Sequence, residues 1–281
     1  MKNIVILLII SLIPAFFACE KTIHIDIPDN DPKPVAQAFL SPDDEYINVF
    51  LTWSVPIYHE FNWNFKDITD ADVFIIKNGN KYKLDYINPQ FQEENSYYKI
   101  EASKIGINPG DEINLEINTK NGIKVTGKTI IPVKPDFDLT LQKTDSIEDE
   151  GYYTYDFKFT AKNKAEYNYY RFNALAYYSY TNNQTTHVDS SIIYITSDNP
   201  ELYKIPQGNS VYFKYESYRY IDSLKISVLH TDEAYYEYHK SIWNFEGDNP
   251  FAEPVIIYSN IENGLGVFSS YNRSSETFKL K

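Results

Sequence analysis

The sequence has 281 residues, 43% of them hydrophobic and 16% aromatic, with 26 tyrosines and one cysteine. A formal net charge of −13 argues against nucleic acid, whose phosphates demand a basic face, and against a polybasic membrane patch. A lone cysteine excludes an intrachain disulfide and a cysteine-built zinc site.

Residues 1–18 read as a secretory leader: Lys2 supplies the basic start and residues 4–17 are apolar, interrupted by Pro14. A helix over residues 4–18 is ~22 Å long, short of the ~30 Å hydrocarbon core, so the segment suits a removable leader better than a membrane span. Cys19 follows the small residue Ala18, and Phe16-Phe17-Ala18-Cys19 resembles the end of a bacterial lipobox, departing from it at the two phenylalanines. Cys19 is the expected lipid-attachment residue, since acyl chains add ~0.8 kcal/mol per buried CH₂ and several on one residue anchor stably. A chance thiol is the plainer alternative. Residues 19–34 then form an acidic tether with Asp26, Asp29 and Asp31 and prolines at 28, 32 and 34.

Residues 35–133 carry the period of short strands. Ile47, Val49, Leu51 and Trp53 alternate with Tyr46, Asn48, Phe50 and Thr52, and Ile113, Leu115 and Ile117 alternate again. Strands at residues 73–76 and 82–86 flank Asn78-Gly79-Asn80, a hairpin turn. Asn108-Pro109-Gly110-Asp111 marks another turn, and Asn121-Gly122 closes a final hairpin. Some seven strands in ~100 residues predict an immunoglobulin-like β-sandwich.

Pro132 and Pro135 bracket a predicted boundary, giving a second, tyrosine-rich antiparallel β domain over residues 134–281. Its strands are expected at 152–160, 167–180, 192–196, 211–218 and 224–229, with a polar loop at 181–186. One helix is expected over residues 232–245. Thr231 or Asp232 caps it, Glu233 sits in its positive first turn, Ala234, Tyr235, Tyr238, Ile242 and Phe245 keep helical spacing, and Gly247 and Pro250 end it. The fold class is therefore all-β with one helix near the C-terminal end.

No G-x-S-x-G elbow or phosphate loop is present, and Gly264-Leu265-Gly266 lacks the third glycine of a dinucleotide site, Ser269 standing there. His24, His59, His187, His230 and His239 are not at ligand spacing. Asp43-Asp44-Glu45, the group Asp67, Asp70 and Asp72, and Glu148-Asp149-Glu150 do not follow a calcium loop. No metal or cofactor is expected, and no enzymatic activity. Among aromatic candidates for a ligand or partner surface (Trp53, Trp63, Phe65, Tyr178, Tyr180), the run His59-Glu60-Phe61-Asn62-Trp63-Asn64-Phe65 stands out, with Phe61, Trp63 and Phe65 either in an exposed loop or folded back and buried. Asp145-Ser146-Ile147 and Asp222-Ser223-Leu224 match a three-residue O-glycosylation pattern that also arises by chance.

The most distinctive run is Asn249-Pro250-Phe251, Ser259-Asn260-Ile261 and Gly264-Leu265-Gly266-Val267-Phe268. It reads either as a structural clasp or as a loop shaping a binding surface, the clasp being the simpler. This run, with Cys19-Glu20-Lys21, Ile25-Asp26-Ile27-Pro28 and the helix residues Tyr235, Tyr238 and His239, resembles a family of Bacteroidota outer-membrane lipoproteins known as domain of unknown function 4249. Members are often encoded beside TonB-dependent receptors. The resemblance implies a lipid-anchored accessory protein of the outer membrane, on its periplasmic or surface face, partnered with a TonB-dependent receptor whose cargo it binds or on which it docks; it supplies no catalytic residues. A surface glycan-binding or adhesive module is the alternative, and a surface hydrolase a third.

Overall fold

The computed structural model describes residues 31–55, 66–89, 95–147, 152–182, 185–194, 201–245 and 256–280, all but the first of them within one compact unit from Pro32 to Lys281. The chain is all-β. Its strands are β1 (Pro34–Leu40), β2 (Tyr46–Trp53), β3 (Asp72–Lys77), β4 (Asn80–Lys83), β5 (Asp85–Ile87), β6 (Tyr97–Glu101), β7 (Glu112–Asn118), β8 (Lys124–Ile130), β9 (Phe137–Ile147), β10 (Tyr152–Ala161), β11 (Asn168–Asn182), β12 (Thr185–Ile193), β13 (Leu202–Ile205), β14 (Ser210–Ser217), β15 (Ser223–Thr231) and β16 (Leu265–Lys279). The single α-helix among the described residues, α1 (Glu233–Trp243), precedes β16. No helix among them is long and apolar enough to cross a membrane.

The first eight strands make two facing sheets, β1-β2-β6-β5 and β4-β3-β7-β8. Lettered in chain order this is A-B-E-D against C′-C-F-G, the immunoglobulin arrangement. The period-two pattern supplies its core: Ile47, Val49 and Leu51 from one sheet meet Val73, Ile75, Ile113, Leu115 and Ile117 from the other. The β3–β4 hairpin closes on Asn78 (φ 50°) and Gly79 (φ 77°), both left-handed, as a type I′ turn requires. In Asn108-Pro109-Gly110-Asp111, Gly110 takes φ 85° and Asp111 N–H donates to the Asn108 carbonyl at 3.1 Å.

One predicted strand divides. Residues 82–86 do not run continuously, because Leu84 is buried and its N–H bonds the Val73 carbonyl at 2.9 Å, after which the chain leaves one sheet for the other. Alternation continues through the crossing, so periodicity alone does not reveal it.

A second core gathers Tyr155, Phe157 and Phe159 of β10 with Phe213 and Tyr215 of β14, against Phe172, Ala174 and Ala176 of β11 and Leu224, Ile226 and Val228 of β15. Here a three-stranded sheet, β14-β10-β9, faces β11, β13 and β15. The predicted strand at 192–196 is displaced: β12 spans Thr185–Ile193, and the expected loop at 181–186 is the end of a ladder in which Thr181 pairs with Thr186 and Asn182 with Thr185. Threonine and asparagine read as loop formers, but β-branched Thr also suits a strand.

β16 joins the two sandwiches. Its first part, Leu265 to Ser270, lies parallel to β1, and its second, Tyr271 to Lys279, lies antiparallel to β15. The result is a nine-stranded sheet ordered β12-β11-β15-β16-β1-β2-β6-β5, with β13 also on β11. Although the cores draw on residues either side of Val133, Ile261 and Phe268 from the C-terminal region belong to the first.

Phe268 is fully buried in the immunoglobulin-like core. Phe268→Ala is therefore expected to cost about 3–5 kcal/mol, the range for emptying a buried phenylalanine site. Urea unfolding followed by circular dichroism measures it; a loss below about 1 kcal/mol means that the core closes without β16.

Candidate functional site

Two features concentrate the unusual chemistry of the described residues: the run around residues 256–270 and the start of α1. Gly264 and Gly266 are explained by backbone proximity. A Cβ on Gly264 would lie 2.8 Å from the Pro34 carbonyl oxygen, and one on Gly266, at φ 105°, only 2.0 Å from that of Ala36. Only glycine lets β16 settle against β1 here. Gly127 of β8 plays the matching part opposite, since a Cβ there would meet Ile261 Cδ1 and Phe268 Cβ at 2.9 Å.

Asn260 stitches the strands together. Its Oδ1 accepts from Phe268 N–H at 2.9 Å, while its Nδ2 donates to the carbonyls of Phe268 (2.8 Å) and Lys128 (3.3 Å). Ser259 Oγ accepts from Ile261 N–H at 3.3 Å. Glu262 pairs with Thr126 through both backbone and side chain, covering the edge of β8. Ser259, Asn260, Gly264 and Gly266 thus hold backbone in place, which is the clasp reading of this segment.

At the other feature, Asp232 caps α1, its carboxylate accepting from Tyr235 N–H at 2.8 Å. The same carboxylate accepts from Thr129 Oγ1 of β8 (2.5 Å) and Ser270 N–H of β16 (3.2 Å). One side chain thereby links the helix, the first sandwich and the shared strand. Burial pushes its pKa up to about 6, against the lowering effect of these donors. One turn beyond Tyr235, His239 Nδ1 lies 2.9 Å from the Tyr235 carbonyl, and its ring stacks on Tyr235 with centroids 4.1 Å apart. Burial lowers its pKa to about 4, with the Arg171 guanidinium contributing in the same direction. Phe39 of β1 packs on Tyr235, Tyr238 and His239, so the helix residues of the family resemblance face the sheet.

An open groove of about 640 Å³ runs beside this junction, over the outer face of β7 and β8 and past the start of α1. Asn114, Glu116, Lys128, Glu233 and Tyr258 are among its walls. Its charges are already engaged: Glu116 binds Lys81 and Lys124, and Lys128 binds Glu112. Lys81 and Asn118 hold the Glu116 carboxyl down at about 2. Among the described residues no three His, Cys, Asp or Glu side chains gather as metal ligands. His230 is committed to the Val133 carbonyl at 2.8 Å and stacks on Tyr170.

Cys19, Phe61, Trp63, Phe65, Asn249, Pro250 and Phe251 lie outside the described residues, as do His24, His59 and the cluster at 148–150. Trp53 packs against the first core. Tyr180 is exposed and stacks on His187, and Arg219 lies over the Tyr178 ring. The sequence carries no local signal that joins Asp232, Thr129 and Ser270, because over a hundred residues separate Thr129 from its partners.

Gly266→Ala should cost at least about 2 kcal/mol, from positive φ and the collision with Ala36. Gly79→Ala, also at positive φ but with open space around the added Cβ, should cost about 1 kcal/mol. Equal losses in urea melts refute the close-approach account.

Two titratable groups at this junction, Asp232 and His239, pull stability in opposite directions. Between pH 4 and 6 the folded chain keeps a proton on Asp232 that the unfolded chain, at 3.8, has released, so this group favours folding at the acid end. Over the same interval folded His239 is neutral while the unfolded side chain, at 6.5, is charged, which favours folding at the alkaline end. Relative to wild type, Asp232→Asn should tilt the stability profile upward with pH and His239→Asn downward, each by up to about 1.4 kcal/mol per pH unit. Urea titrations at pH 4.5, 5.25 and 6 read the slopes, and the same sign for both variants contradicts the assignment.

The model of a family described as domain of unknown function (DUF4249) matches residues 20–277. No curated protein matches the chain.

Proposed function

Since the chain belongs to the DUF4249 family, we propose that it is a lipid-anchored, non-enzymatic accessory protein of the outer membrane that docks on a TonB-dependent receptor or binds cargo for it. The observation that carries this reading is Cys19, the sole cysteine, placed where an apolar leader meets an acidic, proline-rich tether. Lipid on Cys19 supplies attachment where a chain of charge −13 has no electrostatic hold on an anionic surface. The body suits a docking role: two cores are fused through one sheet, and the carboxylate of Asp232, its pKa pushed up by burial, is occupied in fastening strands to the helix. Surface glycan binding is the competing reading, favoured by exposed Tyr194, Tyr212 and Tyr218, whose rings suit stacking on sugars.

In the native host, Cys19→Ala should abolish incorporation of a clickable fatty acid and move the protein from the membrane to the soluble fraction. Extraction of the unaltered protein in mild detergent should recover a β-barrel receptor in stoichiometric amount. Recovery as a lone protein across several detergents, with retention on a glycan array, favours the glycan reading.

A further inference from the structure

We propose that β12 is a self-association edge, and that two copies of this chain pair β12 to β12, antiparallel, about a two-fold axis through Ser190. Among the described residues the strand stands at the end of the nine-stranded sheet, pairing with β11 on one side. Edge strands ordinarily carry guards against such pairing: lysine, proline, a bulge or very short length. β12 has nine residues, Thr-Thr-His-Val-Asp-Ser-Ser-Ile-Ile, with no lysine, no proline and one carboxylate. Its ladder with β11 runs without a register shift from Ile193 to Thr185. Val188 is 74% exposed and Ile192 64%, large apolar side chains left in water on a strand that can accept a neighbour.

The sequence of the strand says which neighbour fits. In an antiparallel pair about a two-fold through Ser190, Val188 of each copy lies opposite Ile192 of the other, twice over. Asp189 then lies opposite Ser191 and His187 opposite Ile193. Val188 and Ile192 share one face of the strand with Ser190, so two β-branched apolar cross-strand pairs flank the central serine pair on that face. They share that face with Leu175 and Ser179, their partners on β11. Moving the axis to Asp189 sets two carboxylates against each other, and moving it to Ser191 sets Asp189 against Ile193; both lose the Val188–Ile192 match. The strand is thus self-complementary in one register, as an isologous interface demands.

The register is directly testable in the full-length chain. Ser190 meets its own copy at the axis, where Cα atoms of opposed residues lie about 4.5–5.5 Å apart, within disulfide reach. Val188 is four positions along the ladder from its copy, roughly 13 Å away and out of reach. Under mild oxidation Ser190→Cys should give a disulfide-linked dimer at least about tenfold faster than Val188→Cys. The unaltered chain controls for Cys19. Adding Val188→Lys, or Ile192→Lys in case the first perturbs folding, to Ser190→Cys should remove this cross-linking while leaving the circular dichroism spectrum and urea midpoint unchanged. The proposal is overturned if Ser190→Cys cross-links no faster than Val188→Cys, if the lysine variants fold and cross-link as before, or if Ser190→Cys captures only a different protein.

Discussion

The parallel contact between β1 and the first part of β16 is the constraint on which the rest of the structure depends. It brings backbone against backbone so closely that Gly264 and Gly266 have no room for a side chain. Five residues further on, β16 has left the first sandwich and begun to pair with β15. The immunoglobulin-like unit consequently borrows Phe268 from the C-terminal end of the chain, and the second unit receives the far half of the same strand. Neither sandwich is complete until β16 is in place, although each has a core drawn mainly from its own stretch of sequence.

The hand-over point is polar and buried, an arrangement that costs energy unless each group is matched. Thr129, Ser270 and Asp232 match one another, with the Ser270 hydroxyl 2.7 Å from Thr129 Oγ1 and 3.1 Å from the Ile130 carbonyl. Nearby, Asn272 donates to the Pro132 carbonyl and His230 holds that of Val133. Asn163 binds the Lys134 carbonyl and accepts from Asp136 N–H. The predicted boundary around Pro132 and Pro135 is therefore pinned by side chains from both parts of the chain. An apolar seam would tolerate sliding by two residues, whereas these donors and acceptors meet only in one register. The proposed docking would benefit from this, because a surface whose two parts are fixed loses less entropy when a partner binds.

What was legible in the sequence was whatever two-residue or helical periodicity controls. The alternation at Ile47–Leu51 and Ile113–Ile117, the Asn78-Gly79 turn and the Asp232 cap all report local chemistry, and each has its structural counterpart. β16 was not legible as a long strand. Its sequence, Leu-Gly-Val-Phe-Ser-Ser-Tyr-Asn-Arg-Ser-Ser-Glu-Thr-Phe-Lys, changes environment midway, with Val267 to Ser270 buried on both faces and the remainder alternating. No single period describes such a strand. The glycines at 264 and 266 were visible as distinctive, but their reason is a distance to residues more than two hundred positions earlier. Likewise, Asp232 was legible as a helix cap and illegible as a fastener.

The fused sheet also has consequences for assembly. Its two ends differ: β5 is three residues long and begins with Asp85, while β12 is three times longer and nearly uncharged. A short, charged edge resists pairing and a long neutral one invites it. Pairing of β12 with β12 about a two-fold consumes the inviting edge of both copies and leaves the short β5 at the far ends of the described sheet, where further growth is disfavoured. A β12-to-β5 contact would instead repeat head to tail, giving a ring where the rotation closes and an open filament where it does not. The asymmetry between the ends therefore works against filaments as well as for a dimer, and it arises from the same strand β16 that places both ends on one sheet.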